Sequence, residues 1–230
     1  MSRSAKSDAT LRRDPTLAFD SRRQVPDFSD HLTRWAEWST HVRRRPNASL
    51  DLYYGPDLPH DPVRKLDFFP APLGRHGEAP PLLVFLHGGD WRDFDKAEHA
   101  FAAAAWPGHG VSVAVPNYRL CPDVPLQQIV LQLIDCIVWL YRHAQRRGYD
   151  RNRIHLAGHG AGAHLAAMLS TVIWPLVAAD LPADLIKSAT LISGIYDPAP
   201  AMLTSVNAEI RLTPDIAARH EIETVPVLML

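Results

Sequence analysis

Hydrophobic residues follow two alternating spacings along this chain, and the alternation predicts strands that are each followed by a helix. Apolar runs over residues 81–86 and 111–115 are typical of strands buried on both faces, and further strands are predicted over residues 153–157 and 186–192. A long helix that ends at Gly148 is predicted by six apolar residues on one helix face: Leu126, Ile129, Val130, Leu133, Ile137 and Leu140. This order predicts the α/β fold class, with a doubly wound, mostly parallel sheet.

The first part of the chain is polar and then becomes amphipathic. Residues 1–26 predict a flexible N-terminal tail, and residues 27–230 predict one α/β domain with a sizeable core. A helix lying on the body of this domain is predicted by four apolar residues at helical spacing: Phe28, Leu32, Trp35 and Val42. The three arginines at 43–45 are interpreted as a cap at the helix C-terminus on a solvated face.

Weaker patterns complete the predicted elements: strands over residues 50–54 and 63–69, a helix over 96–106 stopped by Pro107 and Gly108, a partly helical segment over 198–212, and a last apolar strand over 225–230. The last strand is predicted to lack a neighbour. An unpaired apolar strand at a sheet edge is an aggregation hazard, so poor solubility or a homo-oligomer is expected.

A glycine-rich corner follows the strand over residues 153–157 and precedes a predicted helix over 161–171. Its sequence is Gly158-His159-Gly160-Ala161-Gly162. Glycine lets the backbone turn sharply and lets the helix pack close to the sheet. The strand, corner and helix match the G-x-S-x-G arrangement, except that the middle position is Gly160 instead of serine.

A second glycine turn, His87-Gly88-Gly89-Asp90-Trp91, follows the strand over residues 81–86. The carboxyl ends of parallel strands lie at one edge of a sheet, so the two turns are expected to meet. The backbone N–H groups of Gly88, Gly89 and Ala161 would then form an oxyanion hole, because glycine lets a backbone amide approach a carbonyl oxygen.

The two motifs, with Tyr118–Asp123 between them and Ser193–Asp197 after them, resemble the esterase/lipase branch of the α/β-hydrolases. The resemblance is to kynurenine formamidase-like and carboxylesterase-like members, in which H-G-G-x-W recurs. It implies hydrolysis of a small-molecule ester or N-formyl amide through an acyl-enzyme, with Gly88, Gly89 and Ala161 as oxyanion donors. It places the side chains of His87, Trp91 and His159 at the substrate pocket, and implies no cofactor and no metal.

Two departures from the family pattern bear on activity. Gly160 stands at the position of the nucleophile serine and offers no attacking atom. The family's acid and histidine would follow the strand over residues 225–230 and the strand after it, beyond Leu230. The sequence therefore predicts either an impaired esterase or formamidase, or an inactive pseudohydrolase that acts as a binding or scaffold protein.

Other side chains near the motifs are weaker candidates. Ser193, at a strand end, is interpreted as non-catalytic, and Asp197 as a helix cap. His164 is predicted to be packed or solvated, and His220 to lie at the surface. The two cysteines have no basic partner in the sequence pattern and are predicted to be inert.

Residues 158–163 also match G-x-G-x-x-A after a strand and before a helix, which is a dinucleotide-binding pattern. Asp180 has the spacing of the acid that would bind the ribose, but it follows a predicted helix instead of a strand. A nucleotide-binding oxidoreductase is therefore a third, disfavoured hypothesis.

Charge and composition argue against several classes of partner and against a membrane span. The 24 basic and 25 acidic residues give a net charge of −1, which argues against nucleic acid or an anionic membrane as a partner. No apolar run is long enough to span a membrane, and no signal peptide is recognised. A cytoplasmic location is expected.

Overall fold

The computed structural model describes residues 24–55 and 61–222. Residues 1–23, which form most of the predicted tail, lie outside these ranges, as does the strand predicted over residues 225–230. Within the described ranges, no helix is both long and apolar enough to cross a membrane.

Six strands form one sheet in the order β1-β2-β4-β3-β5-β6. They are β1 Ser49–Tyr53, β2 Lys65–Phe69, β3 Leu82–Leu86, β4 Ser112–Pro116, β5 Ile154–His159 and β6 Ile186–Ile192. Strands β4, β3, β5 and β6 run parallel to one another, while β2 pairs antiparallel with both β1 and β4. The predicted mostly parallel sheet is confirmed.

The helices are α1 Phe28–Arg43, α2 Lys96–His99, α3 Leu126–Arg147, α4 Ala161–Ser170, α5 Trp174–Val177, α6 Asn207–Ile210 and α7 Pro214–Arg219. Three further segments are 3₁₀ helices: Ala100–Ala103, Trp106–His109 and Ala199–Leu203. The prediction of a single helix over residues 96–106 is wrong. Pro107 opens the second 3₁₀ turn instead of stopping a helix, and Gly110 closes that turn with a φ of 77°.

Each face of the sheet has its own apolar core, as a doubly wound fold requires. On one face, Leu133 of α3 and Leu165 of α4 pack among buried strand residues such as Val84. On the other face, Val42 of α1 packs in a cluster with Phe85. Helices on both faces confirm the predicted architecture, and they leave the carboxyl ends of β3 and β5 at one edge.

Buried charges fix α1 to the sheet. Asp67 of β2 is fully buried and accepts hydrogen bonds from Nζ of Lys96 at 2.7 Å and from Nε of Arg43 at 2.8 Å. Lys96 also pairs with Asp51 at 2.9 Å. Arg43 was predicted to lie on a solvated face, but it reaches inward because a buried carboxylate must be paired.

Removing the charge of Asp67 tests this anchor. Asp67→Asn leaves the nearly buried Lys96 and the partly buried Arg43 without their shared carboxylate. We therefore expect a loss of about 3–5 kcal/mol in the free energy of unfolding, measured with urea. Asp180→Asn is the matched control, because the ion pair of Asp180 with Arg142 is about half exposed on both sides. Equal effects of the two substitutions would contradict the anchor.

Candidate active site

The corner after β5 has the backbone of a sharp strand-to-helix turn. Gly160 has φ 56° and ψ −119°, a conformation that costs energy for residues with a side chain. Its N–H donates to the carbonyl of Ile192 at 2.9 Å, which fixes the corner to the end of β6. Helix α4 starts at the next residue, Ala161.

The corner and the second glycine turn are in close contact. A β-carbon at Gly162 would collide with the backbone carbonyls of Leu86 and His87, and one at Gly88 would lie 2.8 Å from the carbonyl oxygen of His159. Such approaches are possible only without side chains. The two motifs, which are about 70 residues apart in the sequence, therefore form one site.

A cavity of about 630 Å³ opens at this contact. Its floor is formed by Gly88, Gly89 and Gly160. The other residues that line it come from α1 and the residues just before it, from α2 and the loop before it, from the end of β5 and from the segment after β6: Val25, Phe28, His31, Trp35, Asp90, Phe94, His99, His159, Ser193 and Ile195. The lining is mainly aromatic and apolar, with a few polar groups.

The backbone amide of Gly89, which lines the cavity, and that of Ala161, which follows the lining residue Gly160, are unused. Among the residues that the structure describes, none accepts a hydrogen bond from the N–H of Gly89 or of Ala161. An amide without a protein partner can donate to a ligand. Ala161 is itself 1% exposed, so its side chain adds nothing to the lining.

His159 lines the cavity. Its imidazole meets Trp35 of α1 edge-on, with 6.5 Å between the ring centroids and 78° between the ring planes. Burial lowers the pKa of His159 below its ordinary value, and the carboxylate of Asp90 opposes this by raising the pKa. His159 is therefore a largely neutral imidazole at neutral pH, and a neutral imidazole can accept a proton.

His87 and Trp91 lie beneath the cavity and do not line it. Both are 1% exposed, so neither presents surface to a substrate as the resemblance implied. The imidazole of His87 stacks on Tyr118 at 4.5 Å, and its Nδ1 lies 2.9 Å from the carbonyl oxygen of Gly88. Burial lowers the pKa of His87 to about 4, which keeps the ring neutral. His87 therefore holds the glycine turn from below.

Trp91 connects the glycine turn to α4. Its Nε1 donates to Nδ1 of His164 at 3.3 Å, and Nε2 of His164 lies 2.8 Å from the carbonyl oxygen of His220. This series of hydrogen bonds requires the neutral tautomer of His164 with the proton on Nε2. His164 is fully buried, and His220 is only 4% exposed, so the predicted surface position of His220 is wrong. His220 is buried because it closes α7 against α4.

The remaining candidates fall in different places. Ser193 lines the cavity with a left-handed backbone, φ 50°. Asp197 accepts from the N–H of Ala199 at 2.8 Å, which agrees with a cap. Both cysteines are buried, and burial raises the pKa of Cys121 to about 11, so this thiol stays protonated. Asp180 binds Arg142 of α3, on the surface.

No group of three or more histidine, cysteine, aspartate or glutamate residues in ranges 24–55 and 61–222 is arranged to hold a metal ion.

Comparisons with known proteins decide the family. Residues 66–174 match the BD-FAE family. Kynurenine formamidase of Salmo salar is 31% identical over 197 residues, which cover 84% of this chain. A candidate thioesterase of Silicibacter sp. TM1040, known from a crystal structure, is 30% identical with a TM-score of 0.73, and the match covers 89% of this chain and 72% of that one. The chain belongs to the α/β-hydrolases, in their esterase and formamidase-like branch.

Further relatives of this α/β-hydrolase agree on the fold. Esterase B of Lactobacillus rhamnosis superimposes with a TM-score of 0.60 at 20% identity, covering 84% of this chain and 62% of that one. The chain spans 61% of the length of the Salmo salar enzyme and 45% of the Danio rerio kynurenine formamidase, to which it is 33% identical.

The buried histidines of this hydrolase make its stability depend on pH. Burial lowers the pKa of His164 to about 4, against an ordinary value of about 6.5 in the unfolded chain. The unfolded state thus binds more protons between these values, so stability is complete above about pH 6.5 and falls as the pH drops towards about 4.

His164→Gln isolates this effect. The wild type should lose about 2 kcal/mol more than the variant in its free energy of unfolding between about pH 7 and about pH 5, because only the wild type has this imidazole to protonate. Urea unfolding at the two pH values gives the difference. A variant as acid-sensitive as the wild type would show that His164 does not titrate as its burial requires.

Proposed function

We propose that this cavity binds the carbonyl group of a small carboxylic ester or N-formyl amide, in the manner of the esterases and formamidases that the chain resembles. The observation that carries the proposal is a pair of unused amides, one on Gly89 in the lining of an apolar cavity and one on Ala161, directly after the lining residue Gly160. Amides held in this way stabilise negative charge on a carbonyl oxygen. Gly88 belongs to the same turn and is proposed as a third donor.

The walls favour an apolar or aromatic substituent on that carbonyl compound. Phe28 and Trp35 of α1 face the cavity together with Phe94 and Ile195. Flat apolar groups bury most of their surface in such a pocket, and a few polar groups fix their orientation. An aryl ester or an N-aryl formamide fits this combination.

Turnover through an acyl-enzyme is proposed to be impaired. Gly160 occupies the position at which a hydrolase of this family carries its serine, and glycine has no atom that can attack. In a well-studied serine hydrolase, about three to four orders of magnitude of rate acceleration survive the loss of the catalytic residues, through binding and the oxyanion hole. The proposed function is therefore binding with at most slow hydrolysis.

The second candidate is a pseudohydrolase that binds a carbonyl compound without transforming it. The same cavity and the same amides support it. The missing nucleophile at Gly160 is as consistent with this candidate as with an impaired enzyme. Binding without detectable product formation would select this candidate.

Filling the space at Gly160 tests the proposal. A β-carbon there would meet no atom within 4 Å outside the two neighbouring residues, so a side chain would project into open space. We expect formanilide, an N-aryl formamide, to bind the wild-type chain saturably in isothermal titration calorimetry. Gly160→Leu should weaken this binding at least about tenfold, because its long side chain would extend through this space into the place of the bound carbonyl compound.

Gly160→Ser is the matched control, since it imposes the same backbone strain with a smaller side chain. It should bind formanilide much more tightly than Gly160→Leu does. The proposal fails if formanilide does not bind the wild type, or if Leu and Ser at position 160 affect binding equally.

A further inference from the structure

We propose that His159, with Asp90 in the same cavity, activates a water molecule in the open space beside Gly160, and that this water hydrolyses a bound ester or formamide without a covalent intermediate. The inference rests on the proposed function, because it needs a carbonyl group held in this cavity. It goes beyond that function by giving the chain a route to turnover that needs no serine.

His159 occupies the position that such a base requires. It is the last residue of β5, it immediately precedes Gly160, and its side chain is exposed to the cavity. A β-carbon at Gly88 would lie 3.3 Å from Nδ1 of His159. The imidazole is thus held between Trp35 of α1 and the glycine turn that carries the amides.

Gly160 provides the space. Apart from the two neighbouring residues in the chain, an added β-carbon meets nothing within 4 Å, so the region into which a serine side chain would project is open on its other sides. The imidazole of the preceding residue, His159, lines the same cavity as Gly160. The N–H of the following residue, Ala161, donates to no acceptor among the described residues.

The charges around His159 leave it able to accept a proton. Burial lowers the pKa of its imidazole, while Asp90 raises it and favours the imidazolium that forms when a proton is taken. His99 of α2 and His31 of α1 also line the cavity. Burial lowers the pKa of His99 to about 3, so this ring remains neutral and adds no positive charge beside His159.

The proposed hydrolysis starts with a proton transfer to His159. His159 takes one proton from the water while the water oxygen forms a bond to the carbonyl carbon, and the carbonyl π electrons move to the oxygen. The amides of Gly89 and Ala161 stabilise that oxyanion. The bond to the leaving oxygen or nitrogen then breaks, and His159 returns its proton to that atom. One ester or amide and one water give one carboxylic acid and one alcohol or amine.

The test uses the full chain with Gly160 in place, treated with diisopropyl fluorophosphate to inactivate contaminating serine hydrolases. We expect slow hydrolysis of p-nitrophenyl acetate and formanilide, in proportion to protein concentration and without a burst. The pH profile of kcat/KM should rise to a plateau with its midpoint below the ordinary imidazole pKa of about 6.5, because the neutral ring is the active form.

Three variants assign the activity. His159→Gln should lower kcat/KM by about 100-fold or more. Asp90→Asn should move the midpoint to lower pH, because it removes the carboxylate that raises the pKa of His159, and asparagine tolerates the left-handed backbone at this position, φ 51°. His109→Gln, on the exposed Trp106–His109 turn, is the control and should change neither the rate nor the midpoint.

Formanilide binding, measured by calorimetry on each variant, shows whether the chain is folded and the cavity intact. A burst, or an acyl group found on His159 or Ser193 by mass spectrometry, would overturn attack by water. So would a His159→Gln chain that binds formanilide and hydrolyses it at the wild-type rate. Binding by the wild type without hydrolysis overturns this inference and leaves the proposed function standing, whereas absence of binding overturns both.

Discussion

Two backbone segments touch without a side chain between them, and the candidate site depends on that contact. The start of α4 lies against the end of β3 at Gly162, and the turn after β3 lies against the end of β5 at Gly88. Any β-carbon at these two positions would push the segments apart. The contact places Gly89 and Gly160 in the lining of one cavity, and Ala161 directly follows Gly160 at the start of α4.

The turn after β3 is strained, and buried contacts hold it in place. Asp90, Trp91 and Phe94 all have positive φ values, between 51° and 72°, which residues with side chains rarely adopt. Trp91 offsets this cost because its indole is buried and donates to His164 of α4. His87 supports the same turn from beneath. The buried histidines must stay neutral for this purpose, so the geometry of the site and the acid stability of the fold are linked.

Much of the fold could be predicted from the sequence, because it depends on local patterns. The alternation of apolar runs and helical spacing predicts the parallel strands and helix α3, and the two glycine motifs predict that β3 and β5 carry the site. The hydrogen bonds that support the site could not be predicted. Trp91 and His164 are 73 residues apart, and His164 and His220 are 56 residues apart. A polar residue on an apolar helix face gives no signal about a partner at such a distance.

The same limit applies to α1. Its apolar stripe predicts that it packs on the domain, but only the structure shows that Trp35 forms a wall of the cavity beside His159. The charge of Arg43 is typical of a solvated helix end. Its pairing with the buried Asp67 could not be predicted, because Asp67 lies on β2, a strand that no obvious motif follows. Walls that come from distant segments are thus the part of this site that sequence patterns predict least well.

The most direct measurement is the response of two backbone amides to a carbonyl ligand. In ¹H–¹⁵N NMR spectra of the chain titrated with formanilide, we predict that the amide protons of Gly89 and Ala161 show the largest shifts and move downfield together as the ligand saturates. Saturable binding that leaves both of these amide signals unchanged would contradict the central claim that they hold a carbonyl oxygen.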